Sequence, residues 1–547
     1  MIESTNNPAT EPTQVPVALS QDRGIVRAAA ILAAGNVTSR VLGLLREIVK
    51  SNLFGATDIL GAYTVAALVP MTLFNLISGG EMVSSSLVPV FSDFAAKEKR
   101  RELWGLVSSF LSLATAVLVV LVLLVEIFAP QVAWLAGARN FENPNLVPLT
   151  INLMRLATPA VLFLSLASIL TGVLYALERF TLPAFTSTIF NGTIVVVALL
   201  RPEHIDSLVW GLLAGSLLQI AIQLPALRDG SFRVQFNWRH PAVRRIVTLY
   251  APIVAGLLIN QVAIWISYNL AITTGDNAVT YMAYATTLYQ FPLGLVVTAL
   301  SLATLPTLSQ LATGYRTAAE AWALEASDRL KLYKQTLAGG LRLVITLILP
   351  AAAGLFALAG PIIALLLEHG LFTPNDTAIT ALVLRFYVFG LPFAAIDQML
   401  VFASYARKDT WRPALVGVVS ITIYTIAAIG LLEQLGLLSL MVADAVKHFV
   451  HMSLMLWLLQ RHLGGLDGHG IVAALLKSVP AAALTGLAAY LVALAMGAYA
   501  DTSDVLGKLL VVLAGGIGGL LVYLATVIAF DIKDAKSLWA TALRHKR

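Results

Sequence analysis

The sequence predicts an all-α polytopic membrane protein of about fourteen transmembrane helices, arranged as two six-helix lobes around a central cavity plus two C-terminal helices. The chain of 547 residues is 58% hydrophobic and only 12% charged, and its mean hydropathy is +0.82. A globular core cannot bury this much apolar surface, so the excess must face lipid. The apolar blocks are about twenty residues long without the alternation of a β-barrel, which predicts spanning helices.

Apolar runs between charged or Pro/Gly/Asn-rich breaks place the spans, with ends defined to within several residues. The first six lie near 25–50, 58–95, 103–136, 147–176, 183–200 and 206–227. The other eight lie near 241–273, 277–310, 335–367, 377–405, 411–432, 435–460, 470–498 and 505–531. Because the count is even, both ends of the chain are expected on one side of the membrane.

This pattern divides the chain into five parts. They are a disordered cytoplasmic tail (1–24), an N-terminal lobe (25–230), a C-terminal lobe (235–462), two extra helices (468–531) and a basic cytoplasmic tail (532–547). The first part is polar, rich in Pro, Thr and Asn, and begins with an acid, unlike the basic start and apolar core of a signal peptide.

Lysine and arginine predict the orientation, because cytoplasmic loops retain positive charge during insertion. One set of alternate loops carries most of it: Lys97, Lys99, Arg100, Arg101, Arg179, Arg228, Arg233, Arg239, Arg244, Arg245, Arg316, Arg329, Lys331, Lys334, Arg407, Lys408, Arg412 and Arg461. The opposite loops hold little beyond Lys50, Arg139, Arg201 and Lys508. Both termini are therefore expected on the cytoplasmic side of the membrane. We expect that membrane to be the bacterial plasma (inner) membrane. The net charge of +6 follows from this topology and requires no nucleic-acid partner.

The sequence lacks the signatures of an enzyme. It has no cysteine, which excludes disulfides, thiol catalysis and Cys-type metal sites. It has no Gly-rich phosphate loop and no Asp-rich magnesium motif, which argues against a pump driven by its own ATPase and against a glycosyltransferase. We expect no catalytic residue, metal or cofactor. The driving force is expected from the membrane potential, a bound monovalent ion or consumption of the substrate, since an outward-moving anion gains about 2.3 kcal/mol per charge per 100 mV.

The second and eighth spans share a pattern of two prolines. Pro70 and Pro89 mark the second span, and Pro292 and Pro306 mark the eighth. Two long Pro-marked helices, each second in a block of six, predict two lobes that face each other across a cavity. Proline is also common in long membrane helices, so chance recurrence explains the pattern equally well when it is taken alone.

Two arginines in the first span are the main candidate ligands for a substrate. Arg40 and Arg46 each lie three residues from Gly43 and so flank it by about 60° on a helical wheel. An ionised group within a span costs about 3 kcal/mol or more unless it meets water, a partner or a ligand, so the pair predicts a polar cavity wall. The alternative is that Arg46 pairs with a carboxylate such as Glu47 or Glu81 while Arg40 extends to the interface.

Further polar residues extend this site. Asn36 and Ser39 share helical stripes with the arginines and Gly43, and Gln290 in the eighth span offers an amide to sugars, although bonding between helices is the default for such groups. The full candidate substrate-binding set is Arg40, Arg46, Asn36, Ser39, Gly43, Asn75, Glu81 and Gln290.

Two other groups of charges receive structural interpretations. Asp444, Lys447, His448 and His451 lie on one predicted helix, at spacings that favour a self-neutralised cluster over a metal or proton site. Arg342, near the end of the ninth span, is expected to extend to the membrane interface.

A set of short motifs runs along the chain: residues 39–47 (SRVLGLLRE), 54–56 (FGA), Pro70, 79–80 (GG), 88–91 (VPVF) and 291–294 (FPLG), followed by 305–306 (LP). Together they resemble the MviN/MurJ family of lipid II flippases, within the multidrug/oligosaccharidyl-lipid/polysaccharide exporter superfamily. The agreement in span count and lobe pairing covers nearly the whole chain.

The resemblance implies a function. It implies alternating access without ATP, a groove along the last two helices for a polyprenyl tail, and transfer of lipid II, the undecaprenyl-pyrophosphate-linked peptidoglycan precursor, to the outer leaflet for cell-wall synthesis. Membrane lipids and the cell-wall synthesis machinery are the implied partners. Family members bind the pyrophosphate with cavity arginines, and Arg40 and Arg46 match two of those positions. The planar guanidinium suits this ligand because it donates two parallel hydrogen bonds.

The chain departs from the family pattern at four positions. Gly61 stands where the pattern has an acid, Phe74 and Asn75 where it often has a basic pair, and Thr287 where it often has an arginine. These departures motivate an alternative substrate, another polyprenyl-linked glycan such as an exopolysaccharide precursor.

Two other functions remain as alternatives. A cation-coupled multidrug exporter would need a buried carboxylate on the cavity wall, such as Glu81 or Asp397, whereas the cavity charges assigned here are mostly basic. The second alternative is a structural or regulatory membrane scaffold that has lost transport.

Overall fold

The computed structural model describes residues 19–313, 326–466 and 468–536. Residues 1–18 of the predicted tail at 1–24, residues 537–547 of the predicted tail at 532–547, and Arg316 lie outside the described residues. Within these ranges the chain is helical and forms no strand, which confirms the all-α prediction.

Fourteen helical segments of the described chain follow in the predicted order. The first seven are α1 (Leu19–Phe54), α2 (Asp58–Ser92), α3 (Lys97–Ile127), α4 (Leu146–Ala176), α5 (Thr186–Leu200), α6 (Asp206–Leu227) and α7 (Pro241–Ile272). The others are α8 (278–313), α9 (Ala326–Ala357), α10 (Pro374–Val388 with Leu391–Ala406), α11 (Trp411–Leu435), α12 (Leu438–Leu463), α13 (Ile471–Tyr499) and α14 (Val505–Ala529). Short helices follow α3 (Ala129–Leu135) and α9 (Ala359–Leu366).

Most of these segments are long and apolar enough to cross a membrane. Among the described residues, ten helices meet that test, or eleven if the two halves of α10, bent by 45°, form one span. α1, α5 and α8 complete a set that is consistent with the fourteen spans predicted. The bounds predicted for the lobes and tails stay predictions.

The second and eighth helices are both irregular. α2 contains Pro70, breaks at Gly79, and continues through a π-helical turn at Val83–Leu87. α8 contains a π-helical turn at Leu293–Val297 directly after Pro292. Such turns leave backbone groups for partners outside the helix, and they recur at functional sites.

The buried core has different forms on the two sides of the membrane. We call the side with the ends of the described chain the terminal side, and the side where α1 meets α2 the distal side. Toward the distal side one apolar cluster joins both lobes, through residues such as Leu60 of α2 and Val279 of α8. Toward the terminal side there are two clusters: one, around Phe91, joins the N-terminal lobe to the first half of α7 through residues such as Ile246, and the other, around Leu308 and Leu400, lies within the C-terminal lobe. The lobes are thus closed together on the distal side, whereas on the terminal side only α7 of the C-terminal lobe shares a described apolar cluster with the N-terminal lobe.

Two ion pairs join the helix pair α13–α14 to α9 and to the segment that contains the short helix after α9. Lys508 of α14 pairs with Glu368 at 3.1 Å on the distal side, and Arg342 of α9 pairs with Asp534 at 3.1 Å on the terminal side. Arg342 thus binds a carboxylate beyond the terminal-side end of α14, a partner that the sequence did not indicate; its extension to the membrane interface stays a prediction.

Candidate functional site

Three consecutive charged groups of α1 form a buried cluster near its distal end. Glu47 is 5% exposed, and its Oε1 accepts hydrogen bonds from Arg46 Nε at 3.1 Å and Nη2 at 2.8 Å. Its Oε2 accepts one from Lys50 Nζ at 2.8 Å. The cluster has two cations and one anion, so it carries a net charge of +1. The alternative in which Arg46 pairs with Glu47 is therefore observed.

Tyrosines from three helices surround this cluster. Lys50 Nζ lies 5.8 Å from the ring centroid of Tyr63 on α2 and 5.9 Å from that of Tyr284 on α8. Tyr268 on α7 lies close enough to interact electrostatically with Glu47. Aromatic faces attract cations, so the cluster is held between helices of both lobes.

Arg46 has a second partner, on α5. Its Nη1 donates to Asn191 Oδ1 at 3.0 Å, and Asn191 Nδ2 donates to the carbonyls of Ser39 and Ser187 at 3.3 and 3.0 Å. Gly43 faces the same amide, because a Cβ atom there would lie 3.7 Å from Asn191 Nδ2. The predicted stripe of Ser39, Gly43 and Arg46 thus meets α5.

Arg40 points to the opposite lobe. Its Nε donates to Asn36 Oδ1 at 3.0 Å, one turn earlier on α1. Its guanidinium lies against the backbone of Gly294, in the π-helical turn of α8. The predicted residues Asn36 and Arg40 are therefore hydrogen-bonded to each other, and Arg40 contacts α8.

The break in α2 places polar groups on the terminal side of the α1 cluster. At Gly79 the backbone turns to ψ 172°, which frees carbonyls from the helical ladder. The Asn75 carbonyl accepts from Tyr250 Oη of α7 at 3.4 Å, and the Ser78 carbonyl accepts from Ser168 of α4. A broken membrane helix whose carbonyls face neighbouring helices is the arrangement found at transporter binding sites.

Glu81 follows directly after this break. It is exposed, forms no ion pair with another described residue, and lies close enough to Tyr250 of α7 and Tyr405 of α10 to interact electrostatically with both. Asn75 and Gln290 are also exposed. Of these three predicted residues, Glu81 lies near helices of the C-terminal lobe, and none hydrogen-bonds to the α1 cluster in the part of the chain that the structure describes.

The departure at Gly61 has a steric cause. A Cβ atom at this position would lie 2.6 Å from the carbonyl oxygen of Asp276, in the loop between α7 and α8. No side chain fits there without a backbone shift, so an acid is excluded in this arrangement.

Backbone contacts close the site on the distal side. Leu371 N donates to the Asn52 carbonyl at 3.0 Å, Tyr284 Oη donates to the Gly55 carbonyl at 3.2 Å, and Thr280 Oγ1 donates to the Thr57 carbonyl at 3.4 Å. All three join the end of α1 to the C-terminal lobe, so the path to the distal side is blocked.

A second polar cluster lies inside the C-terminal lobe. Asp444 pairs with Lys447 at 2.5 Å and approaches His448 at 3.7 Å, and His451 pairs with Asp397 of α10 at 2.5 Å. The predicted self-neutralised cluster is thus observed, with Asp397 as an added member. Within the described ranges, no group of three or more His, Asp or Glu side chains is placed to hold a metal ion.

Sequence reasoning missed Asn191 and the tyrosines at the α1 cluster. A signal for Asn191 was present, because it is a lone amide in the otherwise apolar end of α5 (IFNGTIVVVALL). Nothing in the sequence alone indicates that Tyr63 and Tyr284 meet at Lys50, since they lie far apart in the chain.

Comparison with known proteins decides the family. The family model described as "Lipid II flippase MurJ" matches residues 50–510, which is most of the chain. The chain belongs to the MurJ family. The matched range begins at Lys50, so Arg40 and Arg46 lie just before it.

Curated relatives agree with MurJ membership. A probable lipid II flippase of Bdellovibrio bacteriovorus is 29% identical over 476 residues, covering 85% of this chain and 88% of the relative. The lipid II flippase of Burkholderia cenocepacia is 28% identical over 404 residues, covering 72% of this chain and 76% of the relative.

Solved structures confirm the MurJ fold. "Lipid II flippase MurJ, inward closed conformation" superposes with a TM-score of 0.74 at 23% identity, over 92% of this chain and 98% of that one. An inward-facing multidrug resistance transporter of the MATE family gives 0.62 at 15% identity, over 78% and 95%. The predicted superfamily fold is therefore confirmed.

Proposed function

We propose that this chain transfers lipid II from the cytoplasmic to the outer leaflet by alternating access. Membership of the MurJ family supports the substrate, because its curated relatives are named as lipid II flippases. The observation that carries the proposal is the placement of Arg40. Its guanidinium lies where α1 of one lobe meets α8 of the other, so a ligand bound there contacts both moving parts.

The charges fit a pyrophosphate. Arg46 and Lys50 share one carboxylate, Glu47, so the α1 cluster keeps a net charge of +1. Among the described side chains of α1, Arg40 has only the neutral amide of Asn36 as a hydrogen-bond partner. An anion between the two arginines would receive charge-assisted hydrogen bonds, which are stronger than neutral ones. Arg40 is the main ligand in this proposal, and Arg46 is a second ligand held in place by Glu47 and Asn191.

The two-sided core supports the transport cycle. On the terminal side the apolar cluster of α8 to α12 is separate from that of the N-terminal lobe and α7, and a lipid headgroup enters between them, whereas on the distal side one cluster joins the lobes. Exit requires the distal contacts of Asn52 and Gly55 with the C-terminal lobe to break. In this proposal, neutralisation of the arginines by the bound anion favours that change, and α13–α14 hold the polyprenyl tail outside the bundle.

The orientation completes the proposal. The terminal side carries most of the loop lysines and arginines, so it faces the cytoplasm. The chain acts as a transporter without a catalytic residue or cofactor. The membrane potential favours outward movement of the pyrophosphate by about 2.3 kcal/mol per charge per 100 mV. A bound monovalent ion is not required by this account, and the enzymes of cell-wall synthesis consume the product.

Complementation of a flippase-depleted bacterium tests the proposal. Wild type should restore growth, whereas Arg40→Ala and Arg46→Ala should fail at equal membrane abundance. Arg412→Ala is the matched control, because Arg412, in the first turn of α11 on the terminal side, pairs with the preceding loop residue Asp409 at 3.0 Å, and it should restore growth.

Failure would have distinguishable forms. If wild type is abundant and growth is not restored, lipid II is not the substrate, and the uncharged residues Asn75 and Thr287 point to another polyprenyl-linked glycan. If instead the chain exports cationic drugs and Glu81→Gln abolishes that export, it is a cation-coupled exporter. If purified chain moves no substrate of any of these classes, the scaffold alternative stands.

A further inference from the structure

A deep apolar groove lies between α7 and the N-terminal lobe. It shares Ser78 and Tyr250 with the break in α2, but neither Arg40 nor the α1 cluster lines it. Its volume is about 710 Å³. Its walls come from α2, α3, α4 and α7 and are mostly aliphatic. Representative lining residues are Met82, Leu113, Val117, Ile169, Val247 and Val254.

The groove has the length of one leaflet. Along α7 it extends from Arg244 to Val254, which at 1.5 Å per residue is about 15 Å. The hydrocarbon core of a bilayer is about 30 Å thick, so each leaflet contributes about half of that. The groove is open between Val117 and Val247, whose side chains are 56% and 57% exposed. A lipid chain can therefore enter it sideways from the bilayer.

An arginine without an ion pair to another described residue lines the terminal-side end of this groove. Arg244 lines the groove, is exposed, and forms no ion pair with another described residue. Its neighbour Arg245 is already paired with Asp93 at 2.6 Å. Basic pockets between membrane helices on the cytoplasmic side bind anionic lipid headgroups, and Arg244 has the free guanidinium that such a site needs.

An amphipathic extended segment, residues 231–238, borders the same end. Its backbone is held along α3, because Arg233 N donates to Ser108 Oγ and Gln235 N donates to Ser112 Oγ, both at 3.1 Å. These bonds satisfy backbone groups that would otherwise be costly near lipid.

Apolar side chains stand at every second position of the segment (232, 234, 236 and 238), with polar side chains between them. Phe232 packs edge-on against Trp104 of α3 with centroids 5.3 Å apart, while Val234, Phe236 and Trp238 are 81%, 62% and 62% exposed. Exposed aromatic residues beside arginines are typical of the membrane–water interface. The segment therefore places the terminal-side end of the groove at the level of the membrane–water interface. Trp238 lines the groove there, beside Arg244.

We propose that this groove binds one anionic phospholipid of the terminal-side leaflet. An acyl chain fills the space between α3 and α7, and Arg244 binds the phosphate. The lipid packs where the first half of α7 rests on the N-terminal lobe, so it is a structural ligand and not the transported substrate. Only the assignment of that leaflet as cytoplasmic depends on the orientation under Proposed function.

Native mass spectrometry of the purified full chain tests this directly. The chain is exchanged into detergent with equal amounts of phosphatidylglycerol and phosphatidylcholine, and retained lipid is counted. Wild type should retain one phosphatidylglycerol. Arg244→Gln should weaken retention about tenfold, as loss of one charge-assisted hydrogen bond predicts. Arg245→Gln removes the same charge one residue away and should leave retention unchanged. Ala251→Phe, which adds volume to the groove wall, should also weaken retention.

Each other outcome overturns the proposal. Equal retention by wild type and Arg244→Gln would show that the groove does not select an anion. Equal loss in Arg244→Gln and Arg245→Gln would show a diffuse charge effect. Displacement of the retained lipid by undecaprenyl pyrophosphate would identify the groove as a site for the substrate tail. The readout is binding alone, so the result does not depend on whether the chain transports lipid II.

Discussion

The guanidinium of Arg40 on α1 lies directly against Gly294 in the π-helical turn of α8. A Cβ atom placed on Gly294 would lie 2.5 Å from Nη1 of Arg40, which is closer than a real contact allows. The glycine and the widened turn therefore leave the space that the arginine occupies between the lobes.

The first prediction concerns that space. Gly294→Val should displace Arg40 and abolish transport, while the chain still reaches the membrane. Gly354→Ala is the control, because nothing lies within 4 Å of a Cβ atom there. The measurement is growth of a flippase-depleted strain, with membrane abundance determined in parallel. Full growth with Gly294→Val would show that the position of Arg40 does not matter.

The second prediction concerns Glu47. Glu47→Gln leaves Arg46 and Lys50, whose side chains are 30% and 12% exposed, without their counter-charge. Breaking a fully buried pair costs about 3 to 5 kcal/mol, and the partial exposure of Arg46 reduces that cost. The melting temperature of the purified protein should therefore fall strongly. Glu102→Gln, at an exposed position of α3, should leave it unchanged. Equal melting temperatures for both variants would contradict the buried cluster.

The third prediction concerns closure on the distal side. Asn52 and Leu371 are joined by a backbone hydrogen bond of 3.0 Å, and the chain has no cysteine of its own. A double variant, Asn52→Cys with Leu371→Cys, should be joined by a short thiol-specific cross-linker. Cross-linking should stop transport, and cleavage of the linker should restore it. Each single variant treated in the same way is the control, and transport by the cross-linked chain would exclude distal opening.

The fourth prediction concerns the family acid that this chain lacks. Gly61→Asp should lower the melting temperature and the membrane abundance, because a Cβ atom would lie 2.6 Å from the Asp276 carbonyl oxygen. Gly105→Asp adds the same group in open space on α3 and should be tolerated. A stable, fully active Gly61→Asp variant would show that the helix and loop are further apart than observed.

The helices were predictable because hydropathy and length alone define a membrane span. The order of the fourteen segments and the irregular α2 and α8 follow from apolar runs and from prolines such as Pro70 and Pro292. The helix ends were less predictable: α1 begins at Leu19, before the apolar run that marks the span.

The candidate site was predictable only in part. Arg40 and Arg46 stand out because charge is rare inside a span. Their partners do not, because Asn191 and Gly294 come from helices far along the chain, and only packing brings them to α1. Asp397 and His451 illustrate the same limit, since a pair across two helices leaves no spacing signal in the sequence.

Transfer of lipid II by the purified chain in liposomes tests the central claim most directly. Labelled lipid II is placed in one leaflet, its arrival in the other is measured, and wild type is compared with Arg40→Ala and Arg412→Ala. The account predicts transfer by wild type and Arg412→Ala and a loss of at least tenfold in Arg40→Ala, as expected if one charge-assisted hydrogen bond is removed. Transfer at the wild-type rate by Arg40→Ala, or none by wild type, would contradict it.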